Sequence, residues 1–173
     1  MDTNDFPKGD AMRRAAELED GCMIAAGQAA LAHMLPLKVK RLHSQAQLPK
    51  RALPDDAGFD FHAVERRTIF GHKIVAISTG VAVAVPRGWC LVLKDRSGNA
   101  ANGLHVVGGV IDAGYRGEVK VLLANLNALS VIVEADDRVC QGLLVPVPLV
   151  AVEEVDELDT TVRGDAGFGS TGR

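Results

Sequence analysis

The sequence predicts an all-β protein of the sandwich or barrel type, and three observations carry that expectation. From Leu37 onward apolar residues recur at every second position in short runs, not with a helical period. Gly, Pro, Asn and Asp punctuate those runs at close intervals. The runs do not alternate with helix-forming stretches, as a parallel α/β sheet would require. At 173 residues the chain is one domain by size and long enough to bury a core. Aromatics make up only 4% of it, so the core must be built of Val, Leu, Ile and Ala.

Residues 1–36 stand apart. The stretch 11–34 is rich in Ala, Met, Leu and Glu, which are good helix formers. Asp10 can cap its start, Arg13 and Glu17 form an i,i+4 pair of opposite charge, and Gly21 is a break. Asp2, Asp5, Asp10, Glu17, Glu19 and Asp20 argue against a transit peptide, which would be basic and poor in acids. A helical extension is expected here, unless Met34 marks a second start.

The β domain is expected over 37–152. Leu37, Val39 and Arg41 alternate with Lys38, Lys40 and Leu42 as an imperfect half-buried strand. A polar, Pro-containing loop over 44–56 follows. Further strands are expected over 59–64, 73–78, 81–85, 89–94, 103–107, 119–126, 130–134 and 138–147. The turn Pro86-Arg87-Gly88 leads into the only tryptophan, Trp89, read as a packing residue. Residues 153–173 form a flexible arm. It opens on the acidic run 153–159, a solvated linker, and ends in a segment from Arg163 to Gly172 too Gly-rich to order by itself.

Composition excludes several functions. A formal net charge of −3 gives no bulk positive field for nucleic acid, so any anion site must be local. Cys22, Cys90 and Cys140 are widely spaced, with no C-x-x-C and no histidine at metal-ligand spacing. That argues against structural zinc and a disulfide framework, and fits a reducing cytoplasm. No stretch of 18 apolar residues occurs, so no membrane span is expected.

The chemistry centres on the decapeptide Gly109-Val110-Ile111-Asp112-Ala113-Gly114-Tyr115-Arg116-Gly117-Glu118. An apolar run feeds Asp112, small residues allow a tight reversal, and Tyr115, the only tyrosine, stands nearly opposite the carboxylate. Alone, this is equally well a surface hairpin with a solvated acid and a packed ring. Arg96-Ser97-Gly98 offers a guanidinium fork, a hydroxyl and approachable amides, a set that suits an anionic oxygen cluster but also makes an ordinary turn. Gln141, polar within an apolar strand, is either a satisfied core amide or a ligand group.

Five segments, taken in order, resemble the motifs of the trimeric dUTPases (dUTP nucleotidohydrolases). They are Ala57-Gly58-Phe59-Asp60-Phe61, Arg96-Ser97-Gly98, the decapeptide, Arg138-Val139-Cys140-Gln141, and the tail from Arg163 through Gly167-Phe168-Gly169-Ser170-Thr171-Gly172. The resemblance spans about residues 37–173. It implies a distorted jelly roll, assembled as a homotrimer with shared active sites, that uses Mg2+ to hydrolyse dUTP to dUMP and pyrophosphate. Such an activity keeps uracil out of DNA and supplies dUMP for dTMP synthesis. By the same resemblance Asp112 is the base that activates water, and Tyr115 packs on the deoxyribose. Gly109, beside Gly108, lets the hairpin backbone read uracil, and Phe168 stacks on that base. Arg96, Ser97, Gly98, Gln141, Arg163, Gly169, Ser170 and Thr171 are implied to hold phosphates. Asp60 and Gln141 are implied to meet Mg2+ through its bound water, with no direct protein ligand.

Two residues depart from the family pattern. Asn99 stands where an apolar residue is usual, and Gly142 replaces an apolar strand residue at an expected loss of packing. The fold relative dCTP deaminase, or a bifunctional enzyme, is the alternative. That family carries a glutamate ten residues after the shared aspartate, and Leu122 occupies the position here. A catalytically silent binding module of the same fold is the third reading.

Overall fold

The computed structural model describes residues 36–166. Within them lie β1 (Lys38–Arg41), β2 (Phe59–His62), β3 (Arg67–Ile69), β4 (Ile74–Ala84) and β5 (Trp89–Lys94), then a short helix α1 (Ser97–Ala101). After it come β6 (Leu104–Val106), β7 (Val110–Ile111), β8 (Glu118–Asn125), β9 (Val131–Val133) and β10 (Arg138–Pro146). The strands make two four-stranded sheets, ordered β1-β4-β8-β6 and β2-β10-β5-β7, and a ribbon of β3 with β9. All pairs are antiparallel. This is the all-β architecture expected from the alternation of apolar residues. The helical extension assigned to 1–36 lies outside the described residues, apart from Pro36.

The core is aliphatic, as the composition requires. Ile77, Val81 and Val83 of β4 and Val119, Val121 and Leu123 of β8 face Phe61, Leu91, Leu93 and Val139 of the other sheet in one cluster. In β8 the alternation is plain, with Val119, Val121 and Leu123 buried between exposed Lys120 and Leu122. Gly142 is buried too, and its expected packing loss does not occur. A Cβ there would stand 2.7 Å from Phe61 Cε2 and 2.9 Å from Leu91 Cδ1, so those two side chains already fill the space.

Four other expectations are corrected. The strands expected over 73–78 and 81–85 are one strand, β4, which runs on through Thr79 and Gly80 between them. Gly80 takes φ +67° and the register shifts between Ser78 and Ala82, so the glycine bends the strand without ending it. Its amide donates to Glu118 Oε1 at 2.8 Å, and its carbonyl accepts from Leu42. Strand β3 was missed because only Ile69 of its three residues is buried, too little to show a period. Ser97–Ala101 is a helical turn and not an open loop. Finally, Val110–Ile111 pairs with β5, whereas β8 belongs to the opposite sheet. The Asp112–Tyr115 reversal is therefore a crossover between sheets, not the tip of a hairpin.

Past Pro146 the described chain carries neither strand nor helix and is exposed throughout residues 147–166. Among the described residues no helix is long and apolar enough to cross a membrane.

Candidate active site

Strand register gathers the upstream and downstream motifs. Asp60 on β2 is paired with Gln141 on β10, and Gln141 with Lys94 on β5. Two residues beyond Lys94, Arg96 precedes α1 with φ −84° and ψ 137°, the extended conformation of a helix cap. The Asp60 carboxylate, with only 15% of its side chain exposed, accepts from Arg96 Nε at 3.0 Å and from Arg138 Nη1 at 3.2 Å. One carboxylate thus holds two guanidiniums side by side. Asp60, Arg96, Ser97, Arg138 and Gln141 line one pocket with Ala52, Asp56, Ala57 and Gly58, about 230 Å³ in volume.

Gln141 is half spent. Its Nε2 donates to the Asp95 carbonyl at 2.8 Å, whereas its Oε1 has no donor among the described residues. A Cβ on Gly58 would stand 2.8 Å from that oxygen, so glycine at 58 is what leaves Gln141 room. The α1 turn has no side-chain cap, so its first amides remain open towards an anion. The pocket carries two arginines and open amides, donors suited to phosphate oxygens, and beside them an acceptor, Gln141 Oε1, suited to water. It includes too few protein donors for a metal cage; among the described residues no three His, Cys, Asp or Glu come together. It fits a magnesium ion that keeps its waters and is held mainly by phosphate, with Gln141 Oε1 and Asp60 as the groups meeting those waters.

The crossover carries the other half. Tyr115 N donates to Asp112 O at 3.1 Å, closing the four-residue reversal expected from the sequence. Asp112 and Tyr115 are both exposed. The Tyr115 ring folds back so that its hydroxyl donates to Glu118 O at 3.0 Å, and Arg116 ties the Ala113 and Tyr115 carbonyls at 2.7 Å each. Gly117 permits this fold, because a Cβ there would lie 2.6 Å from Tyr115 Cζ. Gly108 and Gly109 take φ +74° and +95°, and Gly109 gives its carbonyl to Leu93 N at 2.7 Å. That carbonyl thus gives one of its two acceptor positions to the sheet.

One chain does not bring the two halves together. Leu91 is paired with Ile111 and Val92 with Val110, which sets Asp112 level with Cys90. Arg96 is six residues further along the chain from Cys90, two past the end of β5, on the order of 20 Å away at the usual strand rise. Arg163 lies on the exposed arm, where its Nε donates to the nearby Ala166 carbonyl. Phe168, Gly169, Ser170 and Thr171 lie outside the described residues.

Sequence reasoning quoted Gly58 and Gly117 within its motifs without seeing the room they leave, noted Asn99 only as a departure from the family pattern, and missed Asp95; Asp95 and Asn99 tether the Arg96 segment. For Asp95 the only signal was its place beside a singled-out motif. It also missed His62, which is buried on β2 with Nδ1 unpartnered among the described residues and paired in register with Arg138. Burial lowers its pKa below 6.5, with Lys50 and Arg138 adding to the effect and Asp60 and Asp136 opposing it. Below pH 6.5 the unfolded chain takes up a proton that the folded chain resists, so stability falls as pH drops. Thermal melting from pH 7.5 to 5.5 should show His62→Gln losing fewer degrees than wild type over that range. Cys140 is a buried thiol pushed up to about 12 by burial, and so inert.

An antiparallel β-sandwich carrying a paired-arginine anion pocket and a separate acid–tyrosine turn is the frame of a nucleotide-handling protein. Comparison narrows this. The family model described as dUTPase matches residues 44–172. The deoxyuridine 5'-triphosphate nucleotidohydrolase of Corynebacterium glutamicum is 46% identical over 142 residues, covering 79% of this chain and 95% of that one. Its Helicobacter pylori counterpart is 38% identical, covering 80% and 97%. Among solved structures, Staphylococcus bacteriophage 80alpha dUTPase with dUPNHPP superposes with a TM-score of 0.76 at 28% identity, covering 81% of this chain and all of that one. A mutant dUTPase of phage phi11 of S. aureus, in which a structural Mg(II) ion is coordinated, gives 0.68 at 26% identity, covering 71% and 98%. The chain belongs to the dUTPase family.

Proposed function

We propose that the protein hydrolyses dUTP to dUMP and pyrophosphate in the cytoplasm, as a homotrimer whose sites each combine groups from different copies. The observation that carries this is the Asp112–Tyr115 turn, closed and exposed, in a chain whose relatives are named for this activity. Asp112 takes the proton of a water whose oxygen bonds to the α-phosphorus, while the bond from that phosphorus to the α,β-bridging oxygen breaks. Tyr115 packs its ring on the deoxyribose and leaves no room for a 2′-hydroxyl. Arg96, Ser97 and Gly98 hold phosphate oxygens, Gln141 reaches them with the second hydrogen of its Nε2, and Arg138 stands beside Arg96 to share their charge. Asp60 and Gln141 would meet the waters of a magnesium ion, which when bound would supply charge neutralisation at the phosphates. The tail brings Arg163, Gly169, Ser170 and Thr171 to the γ-phosphate and Phe168 to the uracil, excluding water from the closed site.

The separation of Asp112 from Arg96 along β5 supports sharing, since a single copy cannot present both to one triphosphate. Leu122, an exposed aliphatic on β8, offers no carboxylate for deamination. The test is purified protein with magnesium and each deoxynucleoside triphosphate in turn, with pyrophosphate and ammonia measured together. Pyrophosphate from dUTP alone is expected, and ammonia from dCTP would replace this reading with the deaminase.

Gly117→Ala probes the sugar contact. The added methyl displaces the Tyr115 ring, so KM for dUTP should rise about tenfold while discrimination against UTP falls. An unchanged ratio of kcat/KM for dUTP over UTP would remove Tyr115 from the sugar site.

A further inference from the structure

The segment Arg96-Ser97-Gly98 is bracketed by two residues with no assigned role, and the first of them is tied to three places at once. Asp95 accepts from His105 Nδ1 at 2.9 Å with one carboxylate oxygen and from the Val106 amide with the other, so its side chain is fastened to β6. Its main-chain carbonyl accepts the Gln141 Nε2 donation at 2.8 Å. Asp95 therefore links β6 of one sheet to β10 of the other at the residue just before Arg96. On the far side of the segment, Asn99 Nδ2 reaches the Arg138 and Val139 carbonyls at 3.2 Å each.

We propose that Asp95, anchored by His105 and the Val106 amide, is a positioning residue that sets where Arg96 and Gln141 meet a polyphosphate. The proposal rests on reading those two as phosphate ligands. The physical basis is that, among the described residues, the Asp95 side chain is the one between β5 and α1 that is fastened to β6. The α1 turn is five residues long with no side-chain cap, too short to hold its own orientation. Arg96 is pinned through Nε to Asp60, but a guanidinium held at one nitrogen still swings as its backbone moves. The backbone at 95 is what the carboxylate fixes. Without it, the Asp95 carbonyl drifts and Gln141 loses the partner that orients its amide group in the pocket. Asn99 tethers the other end and so limits the movement. Loss of Asp95 is therefore expected to weaken phosphate binding without unfolding the protein.

The variants are Asp95→Ala, Asp95→Asn and His105→Ala in the full chain, read in two ways. The first is the affinity for inorganic triphosphate with magnesium by calorimetry, which needs no turnover. The second is kcat and KM for dUTP beside inhibition by deoxyuridine, which lacks phosphates. Asp95→Ala should weaken triphosphate binding and raise KM about tenfold, leaving deoxyuridine inhibition within about twofold. Asp95→Asn keeps an acceptor for the Val106 amide and should restore most of the loss, and His105→Ala should fall between. Equal triphosphate affinity in Asp95→Ala and wild type overturns the proposal, as does a loss shared equally by deoxyuridine, which marks a merely structural role. If wild type splits no dUTP yet its triphosphate binding depends on Asp95, the function fails and the positioning role stands.

Discussion

Asp112→Asn should leave the proposed trimer, the melting temperature and the affinity for a non-hydrolysable imido analogue of dUTP unchanged, while pyrophosphate release falls by about 10²–10⁴, the usual worth of a positioned base. The expectation is sharp because of where Asp112 sits. Its backbone carbonyl closes the turn with Tyr115 N, and the exposed carboxylate takes part in none of the turn's hydrogen bonds among the described residues. An isosteric amide therefore removes the proton acceptor and nothing structural. Turnover within a few-fold of wild type would take the base role away from Asp112. A large loss of analogue binding would mean that the carboxylate is a ligand first.

Asp60→Ala should act through the opposite mechanism, and on both stability and activity. Its carboxylate is the only counter-charge within ion-pairing distance of both Arg96 and Arg138 among the described residues. Without it two guanidiniums repel in a pocket that is partly closed to water. Breaking a shielded pair costs about 3–5 kcal/mol, and with the Arg138 side chain 46% exposed about 1–2 kcal/mol is the better expectation here. The arginines then part, and kcat/KM should fall about 10²-fold, mostly through KM. Asp60→Asn, which keeps one acceptor, should lose less of both. If Asp60→Ala keeps wild-type KM, the arginines are placed by something else.

These two predictions draw on different depths of the sequence. Alternation along β8 and β10, and the run of turn residues between strands, made the fold class and most strands readable, because burial on one face of a pleated strand writes a period of two directly into the chain. The Asp112–Tyr115 reversal was readable as well, since a four-residue turn is a local object. Its partnership was not. That Val110 and Ile111 join β5 and not β8 is decided by which sheet edge is open, a non-local matter on which the two-residue strand itself is silent. Gly80 failed for a related reason. A glycine with φ above zero either ends a strand or bends it, and the bend is held from outside, by the Glu118 carboxylate 38 residues away and the Leu42 amide. Gly142 misled because its missing side chain is replaced by Phe61 and Leu91 from neighbouring strands. The Asp60 cluster was legible as a set of residue types but not as an ion triad, which depends on the β2–β10 register.

The spacing along β5 has a countable consequence for mixtures. If a working centre draws its acid from one copy and its arginine pair from another, two impaired proteins can rescue each other. Asp112→Asn and Asp60→Ala chains, each slow alone at low dUTP, would on unfolding and refolding together yield hybrids in which roughly a quarter of the centres are intact, by random assortment of copies. Mixing without subunit exchange would yield none.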